Sequence, residues 1–292
     1  MIFKIVIFII SFLFIGCGGS NGLVPNLTNT QETISNIELF SSTLSDVTPE
    51  DEYILGLMIS KRIIKSDIYN VDSPTSKYLN NILKVLVRNS NNPYIYNGYK
   101  IIVLKNREFN AYALPGGIIV VHDGVFKKVY NEDQLASIIA HEIGHIEGMH
   151  FADDISNSNY IEIAKFAKNR LKKKNSSQKN ATTSIANDIV EKTFKQLTDN
   201  IMNGYSVEHE AQADKIALRI LKASGYENSS LKIVLKNLEK RNAKKYAGAK
   251  YPKNRIELIQ NSSLFSKKII SRKYMKIRER RFDKIKYIRK AS

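Results

Sequence analysis

Apolar and polar positions along this chain recur mostly with a helical period. Residues 18–48 are rich in Ser, Thr and Asn and read as a linker. Thr48-Pro49-Glu50-Asp51 then marks a helix start: Thr48 caps, Pro49 takes the first position, and acids fill the first turn. The pattern carries that helix to about Lys65. Residues 75–89 repeat the period, with Leu79, Ile82, Leu83 and Leu86 on one face. Two β-rich runs follow at 99–104 and 117–122, and Ile118-Ile119-Val120-Val121 is the core of the second. Asn131-Glu132-Asp133-Gln134 opens another helix, with Asn131 as cap and Gln134 where a capping box needs it. Leu135, Ile138, Ile139, Ile143 and Ile146 form its buried stripe. Residues 152–160 read as a polar loop, 161–174 as a lysine-rich helix, and 175–183 as a polar break. Helical patterns then cover about 184–203, 205–224 and 229–243, with Gly225 stopping the second. From Lys267 the chain is strongly basic, and Tyr274, Ile277, Phe282, Ile285 and Ile288 keep a helical rhythm. No repeat of solenoid length occurs. The expected fold is α+β, mainly helical, with a small β-sheet before the helix that opens at Asn131.

Composition changes this picture in two places. The chain has 292 residues, enough for one large domain or two small ones, and its 43% hydrophobic and 25% charged content is ordinary. The formal net charge of +17 is not. Lysine supplies 33 of the 45 basic residues. Codon bias in an AT-rich genome accounts for that blandly; attraction to an anionic membrane surface or acidic partners is the functional reading. The basic stretches 165–179 and 267–290 are either plain solvated helix faces or surfaces for anionic lipid. No nucleic-acid partner is expected, because no recognised motif accompanies the charge.

The second place is the N-terminus. Cys17 is the one cysteine, so no intrachain disulfide can form. Residues 1–16 carry Lys4, then an almost unbroken apolar run to Ile15 that is short for a membrane span and suits a signal peptide. Phe14-Ile15-Gly16-Cys17 resembles a bacterial lipobox, in which the cysteine becomes lipidated, although Leu is usual where Phe14 stands. The alternative is an uncleaved anchor with a buried thiol. The expected organisation is a lipoprotein signal peptide at 1–16, a flexible tether at 17–48, and a single domain at 49–292 with a basic C-terminal helix at about 267–290. The expected location is the bacterial cell envelope, membrane-anchored and facing the periplasm or exterior.

The chemistry-bearing segment is His141-Glu142-Ile143-Gly144-His145, an HExxH pentapeptide. Helical residues four apart lie on one face, so His141 and His145 converge on a single Zn²⁺, with Glu142 beside them as a base toward water. A hydrolytic zinc site also wants a third protein ligand and an open position. The five histidines are His122, His141, His145, His150 and His209. The best remaining ligand lies in Glu208-His209-Glu210-Ala211-Gln212-Ala213-Asp214. Glu210 and Asp214 share a face; Glu210 can ligate while Asp214 accepts a hydrogen bond from a ligand histidine. His209 competes for the same role but points about 100° away from Glu210. His150 and His122 read as structural or surface residues. A bare HExxH also arises by chance; the helix start, Gly144 and the acidic pair argue against accident.

These residues resemble zinc metallopeptidase family forty-eight, the HtpX, Oma and CAAX-prenyl protease type, especially its bacterial lipoprotein or periplasmic branch. The resemblance covers most of residues 49–290. Asn110-Ala111-Tyr112-Ala113-Leu114-Pro115-Gly116-Gly117 is similar to the family's Asn-Ala-Phe-Ala-x-Pro-Gly-Gly strand, residues 131–150 to its HEIGH segment, and Glu210-Ala211-Gln212-Ala213-Asp214 to its ExxAD element. It implies a zincin-like (gluzincin) fold, one Zn²⁺ per chain, Glu210 as third ligand and Asp214 as its support. The family often has His-Pro and then an Arg at the place of Tyr251-Pro252-Lys253-Asn254-Arg255. Tyr251 is either a phenolic donor to a developing oxyanion or a surface tyrosine. Arg255 shares that transition-state or regulatory expectation.

The expected activity is therefore a metalloendopeptidase in which Glu142 is the catalytic base. Ala113, Pro115, Gly116 and Gly117 are the candidate substrate strand, within a segment at 113–120 that offers an edge to an extended peptide. Relatives imply protein or peptide substrates, chiefly misfolded envelope proteins. The competing expectation is a lipid-anchored, chaperone-like or binding protein whose basic surface matters more than hydrolysis. Cleavage specificity and oligomeric state stay open.

Overall fold

Helix α1 (Pro49–Ile63) starts where the sequence places it. Thr48 accepts the Asp51 N–H while the Asp51 carboxylate takes the Thr48 N–H, a complete capping box. In α2 (Pro74–Val87) Ser73 caps by accepting the Ser76 N–H, and Leu79, Ile82, Leu83 and Leu86 are all buried. The computed structural model describes residues 47–64, 68–153, 157–174, 184–242, 252–265 and 272–291, which belong to one compact unit. Cys17, the rest of residues 1–46 with the expected signal peptide and most of the expected tether, and Tyr251 lie outside the described residues. No described helix is long and apolar enough to cross a membrane.

Three strands follow: β1 (Lys100–Leu104), β2 (Ala111–Leu114) and β3 (Ile118–His122). The sheet order is β1-β3-β2. β3 runs parallel to β1 and antiparallel to β2, and all five of its residues are buried. That matches the unbroken apolar run of a central strand. Pro115–Gly117 form a buried 3-10 turn joining β2 to β3, with φ of +69° at Gly116 and +80° at Gly117, a region that glycine enters without steric cost. This corrects the expectation of one strand edge across 113–120. β3 is hydrogen-bonded on both sides, so within 113–120 the β2 portion alone lies at an edge of the sheet.

Helix α3 (Glu132–Glu147) carries the HExxH segment across this sheet. Asn131 accepts the Gln134 N–H, as expected, but the Gln134 side chain accepts from Tyr130 rather than from the cap itself. Leu135, Ile138, Ile139, Ile143 and Ile146 are buried among Ile119, Val121 and helices on the far side. Full burial of such a side chain stabilises by roughly 1.5–3 kcal/mol. Helix α4 (His150–Asp153) and α5 (Asn157–Lys174) occupy much of the stretch that reads as loop in the sequence. Its short polar residues suit helix starts as well as turns. Helices α6 (Ser184–Asn203), α7 (Val207–Ala223) and α8 (Ser229–Asn242) fall where their periodicity puts them. Helix α9 (Pro252–Asn261) is ten residues long, too short for periodicity to announce.

The basic C-terminal helix α10 (Arg272–Ala291) is two-sided. Phe282 and Ile285 are buried in the core. Arg278 binds Asp133 at 2.6 Å, Arg281 binds Glu132, and Arg289 binds Asp123 at 2.8 Å. Glu132, fully buried, also accepts the Tyr78 and Tyr226 hydroxyls at 2.9 and 3.2 Å. Arg278 and Arg281 clamp the start of α3 and Arg289 holds the turn after β3, whereas Lys273, Lys276 and Lys284 stay exposed. The stretch is therefore more than a solvated charge run.

Candidate metal centre

Helices α3 and α7 cross at Gly144. A Cβ there would sit 2.6 Å from the Ala213 carbonyl oxygen, so only glycine allows this approach. The crossing sets two α3 histidines against the first turns of α7. Ser206 caps α7 by accepting the His209 N–H at 3.1 Å. Glu210 stands in the first turn, where the helix dipole favours a carboxylate.

The Nε2 atoms of His141 and His145 are 3.0 Å apart. Glu210 Oε2 lies 3.3 Å from His141 Nε2, and its Oε1 lies 3.6 Å from His145 Nε2. Bonds of 2.0–2.1 Å to a tetrahedral ion put neighbouring donors about 3.3 Å apart. The three donors thus fit one divalent cation, and they are the one such cluster among the described residues. Two imidazoles and a carboxylate form a borderline donor set of the kind zinc accepts.

Asp214 Oδ1 is 2.9 Å from His141 Nδ1, in contact though off the ideal hydrogen-bond line. Arg255 on α9 ties the carboxylates together. Its Nε and Nη2 bind Asp214 at 2.7 and 2.8 Å, and Nη1 binds Glu210 Oε2 at 2.7 Å. Only 5% of Arg255 is exposed, so its fork is spent on the two acids. Burial raises both carboxyls, but the Arg255 charge outweighs it and holds Glu210 well below, and Asp214 below, the usual range. Burial lowers His141, yet Asp214 and Glu210 lift its imidazolium to about 10. Burial, with His141 beside it, keeps His145 neutral. Without a bound ion, the site thus places a proton on His141 between the two acids.

Glu142 is 6% exposed. Burial pushes its carboxyl up to about 7, the Glu210 charge adds to this, and the His141 cation and the Ala113 N–H oppose it. That Ala113 contact joins α3 to β2. Asn110 accepts the His122 N–H, so by antiparallel parity Tyr112 and Leu114 face β3. The N–H and C=O of Ala111 and Ala113 then point outward along the edge. Of the candidate substrate strand, Ala113 sits on this edge, whereas Pro115, Gly116 and Gly117 are packed in the turn.

The other histidines divide. His122 stays in the sheet, its ring 3.4 Å from the Tyr112 hydroxyl. His209 contacts Asp153 at 3.2 Å and stands outside the donor cluster. His150 is fully buried, and its Nδ1 meets His145 Nδ1 at 2.9 Å. Burial lowers this ring to about 4, so it is neutral. Sequence reasoning read His150 as a structural or surface residue and missed Gln212 and the Arg255 clamp. The signal available for His150 was its position one short turn beyond the pentapeptide.

The chain resembles known proteins over this region. It is 25% identical over 224 residues to the beta-barrel assembly-enhancing protease of Escherichia coli O157:H7, covering 74% of this chain and 43% of the relative. It is 24% identical over 221 residues to metalloprotease YcaL of Escherichia coli K12, covering 75% and 78%. An 83-residue stretch, 28% of this chain and 24% of the relative, is 31% identical to the mitochondrial metalloendopeptidase OMA1 of Schizosaccharomyces pombe. The chain spans less than half the length of the beta-barrel assembly-enhancing proteases it matches. The model of peptidase family M48 matches residues 73–266, which hold the sheet, both crossing helices and all three candidate ligands. The chain belongs to peptidase family M48.

Proposed function

We propose that this protein is a zinc-dependent endopeptidase cleaving misfolded or misassembled proteins of a bacterial envelope. The observation that carries the reading is the convergence of His141, His145 and Glu210 beside a buried Glu142. His141, His145 and Glu210 would hold the ion. Zinc bound there supplies Lewis-acid polarisation of the scissile carbonyl and lowers the pKa of water. The Glu142 carboxylate takes the proton of the attacking water and hands it to the leaving amine. The Ala113 N–H orients Glu142 from the β2 edge, and the remaining outward groups of Ala111 and Ala113 are placed to pair with an extended substrate. Arg255 keeps Asp214 and Glu210 ionised and aligned.

Glu142→Gln keeps the donors and removes the base. Casein or peptide-library cleavage should fall by roughly 10²–10⁴-fold with metal content unchanged. Undiminished cleavage in that variant refutes the mechanism. Envelope location is supported by the lipobox-like Cys17 and by the name of the enterobacterial relatives. On this reading Cys17 is lipidated and 17–48 is a tether. Cys17→Ser should move the protein from the membrane to the soluble fraction; an unchanged distribution counts against the anchor.

A further inference from the structure

Ligation through Nε2 leaves the His145 proton on Nδ1, where it needs an acceptor. The atom facing it, at 2.9 Å, is His150 Nδ1. A ring that accepts at Nδ1 carries its own proton on Nε2, and that atom faces Gln212 Oε1 at 3.1 Å. The amide oxygen accepts. Each donor in this chain meets an acceptor, in one direction only, from His145 through His150 to Gln212. The rings are held in place: His150 stacks on His209 at 4.5 Å, and Tyr205 lies 4.5 Å from His145.

The backbone between the two histidines is shaped to bring this about. Helix α3 ends at Gly148, and a Cβ there would lie 2.3 Å from His150 Nε2. Met149 has φ +54°, a left-handed conformation costly for a residue with a side chain. Strain of this kind persists where the surroundings over-determine it. Here it turns the chain back so that His150 lies beneath His145.

We infer that His150, backed by Gln212, is a positioning residue that fixes the tautomer and ring orientation of the metal ligand His145. This deepens the metal reading and rests on it. The test uses the full chain and measures Zn²⁺ affinity by chelator competition, with the cobalt(II) absorption spectrum and thermal unfolding alongside. His150→Leu removes the acceptor, and affinity should fall 10–100-fold. His150→Asn returns an amide oxygen near the Nδ1 position and should recover most of it. Gln212 lies on the exposed side of α7, so Gln212→Met leaves folding intact and should weaken binding several-fold. A parent that binds zinc while H150L and Q212M match it overturns this inference alone. A loss in H150L that H150N does not restore assigns His150 to packing and overturns it too. A parent that binds no zinc overturns the metal reading together with this one.

Discussion

Burying an isolated carboxylate costs several kcal/mol, and this site buries two, Glu210 and Asp214, within one helical turn. Arg255 is what makes that affordable: three of its nitrogens bond to the two acids in a planar fork. Arg255→Ala leaves both acids unpaired, and denaturant unfolding of the metal-free protein should show a loss of about 3–5 kcal/mol. Arg255→Lys keeps the charge but not the fork and should recover only part of it. Equal stability of the Ala variant and the parent would show that the clamp contributes nothing. The glutamate and histidines of the site were legible in the sequence because an i, i+4 spacing fixes a face on any α-helix. Arg255 was legible as a residue of interest but not as a clamp. Its partners are 41 and 45 positions away, and no local periodicity connects them.

At the scale of elements, the crossing of α3 and α7 decides whether three donors meet. Gly144→Ala should push the helices apart by a few tenths of an ångström or more, costing about 1–3 kcal/mol as overpacking does. It should also lower zinc affinity in a chelator competition, since Glu210 rides on α7. Unchanged affinity would mean that the site adjusts independently of the crossing. Most helices were legible from their caps and stripes: Thr48 and Asn131 act at starts, and Leu135 to Ile146 face the core. The stretch after His150 was misread as loop because Asn and Ser serve turns and helix starts alike. The substrate edge was placed too broadly, because an apolar run such as Ile118–Val121 does not say whether a strand is central or outermost.

For the whole molecule, net charge hides a division of labour. Arg278, Arg281 and Arg289 of α10 reach inward to Asp133, Glu132 and Asp123, while Lys273, Lys276 and Lys284 face water. Glu52, on α1, is the opposite case, a mostly buried acid with no cation beside it among the described residues. Burial pushes its carboxyl up to about 7, against a weaker opposing hydrogen bond from Tyr160. The folded state therefore binds a proton more tightly than the unfolded chain, whose carboxyl titrates near 4.5. Stability should fall as pH rises from about 4.5 to 7 and then level off. Glu52→Gln should remove that contribution and stabilise the protein at pH 8 by about 1–3 kcal/mol relative to pH 4.5. Parallel pH profiles for variant and parent would contradict this assignment.

By itself the sequence determined the helical layout, the HExxH face, the ExxAD face and the family, because each depends on spacings that local geometry converts directly into a side-chain direction. Tertiary structure decided the rest. It brought Glu210 within reach of both histidines, made β2 an edge strand, spent Arg255 on the acids, and folded His150 under His145. These depend on which surfaces of distant elements meet, and that is set by close approach at Gly144, sheet order and charge pairing across the fold.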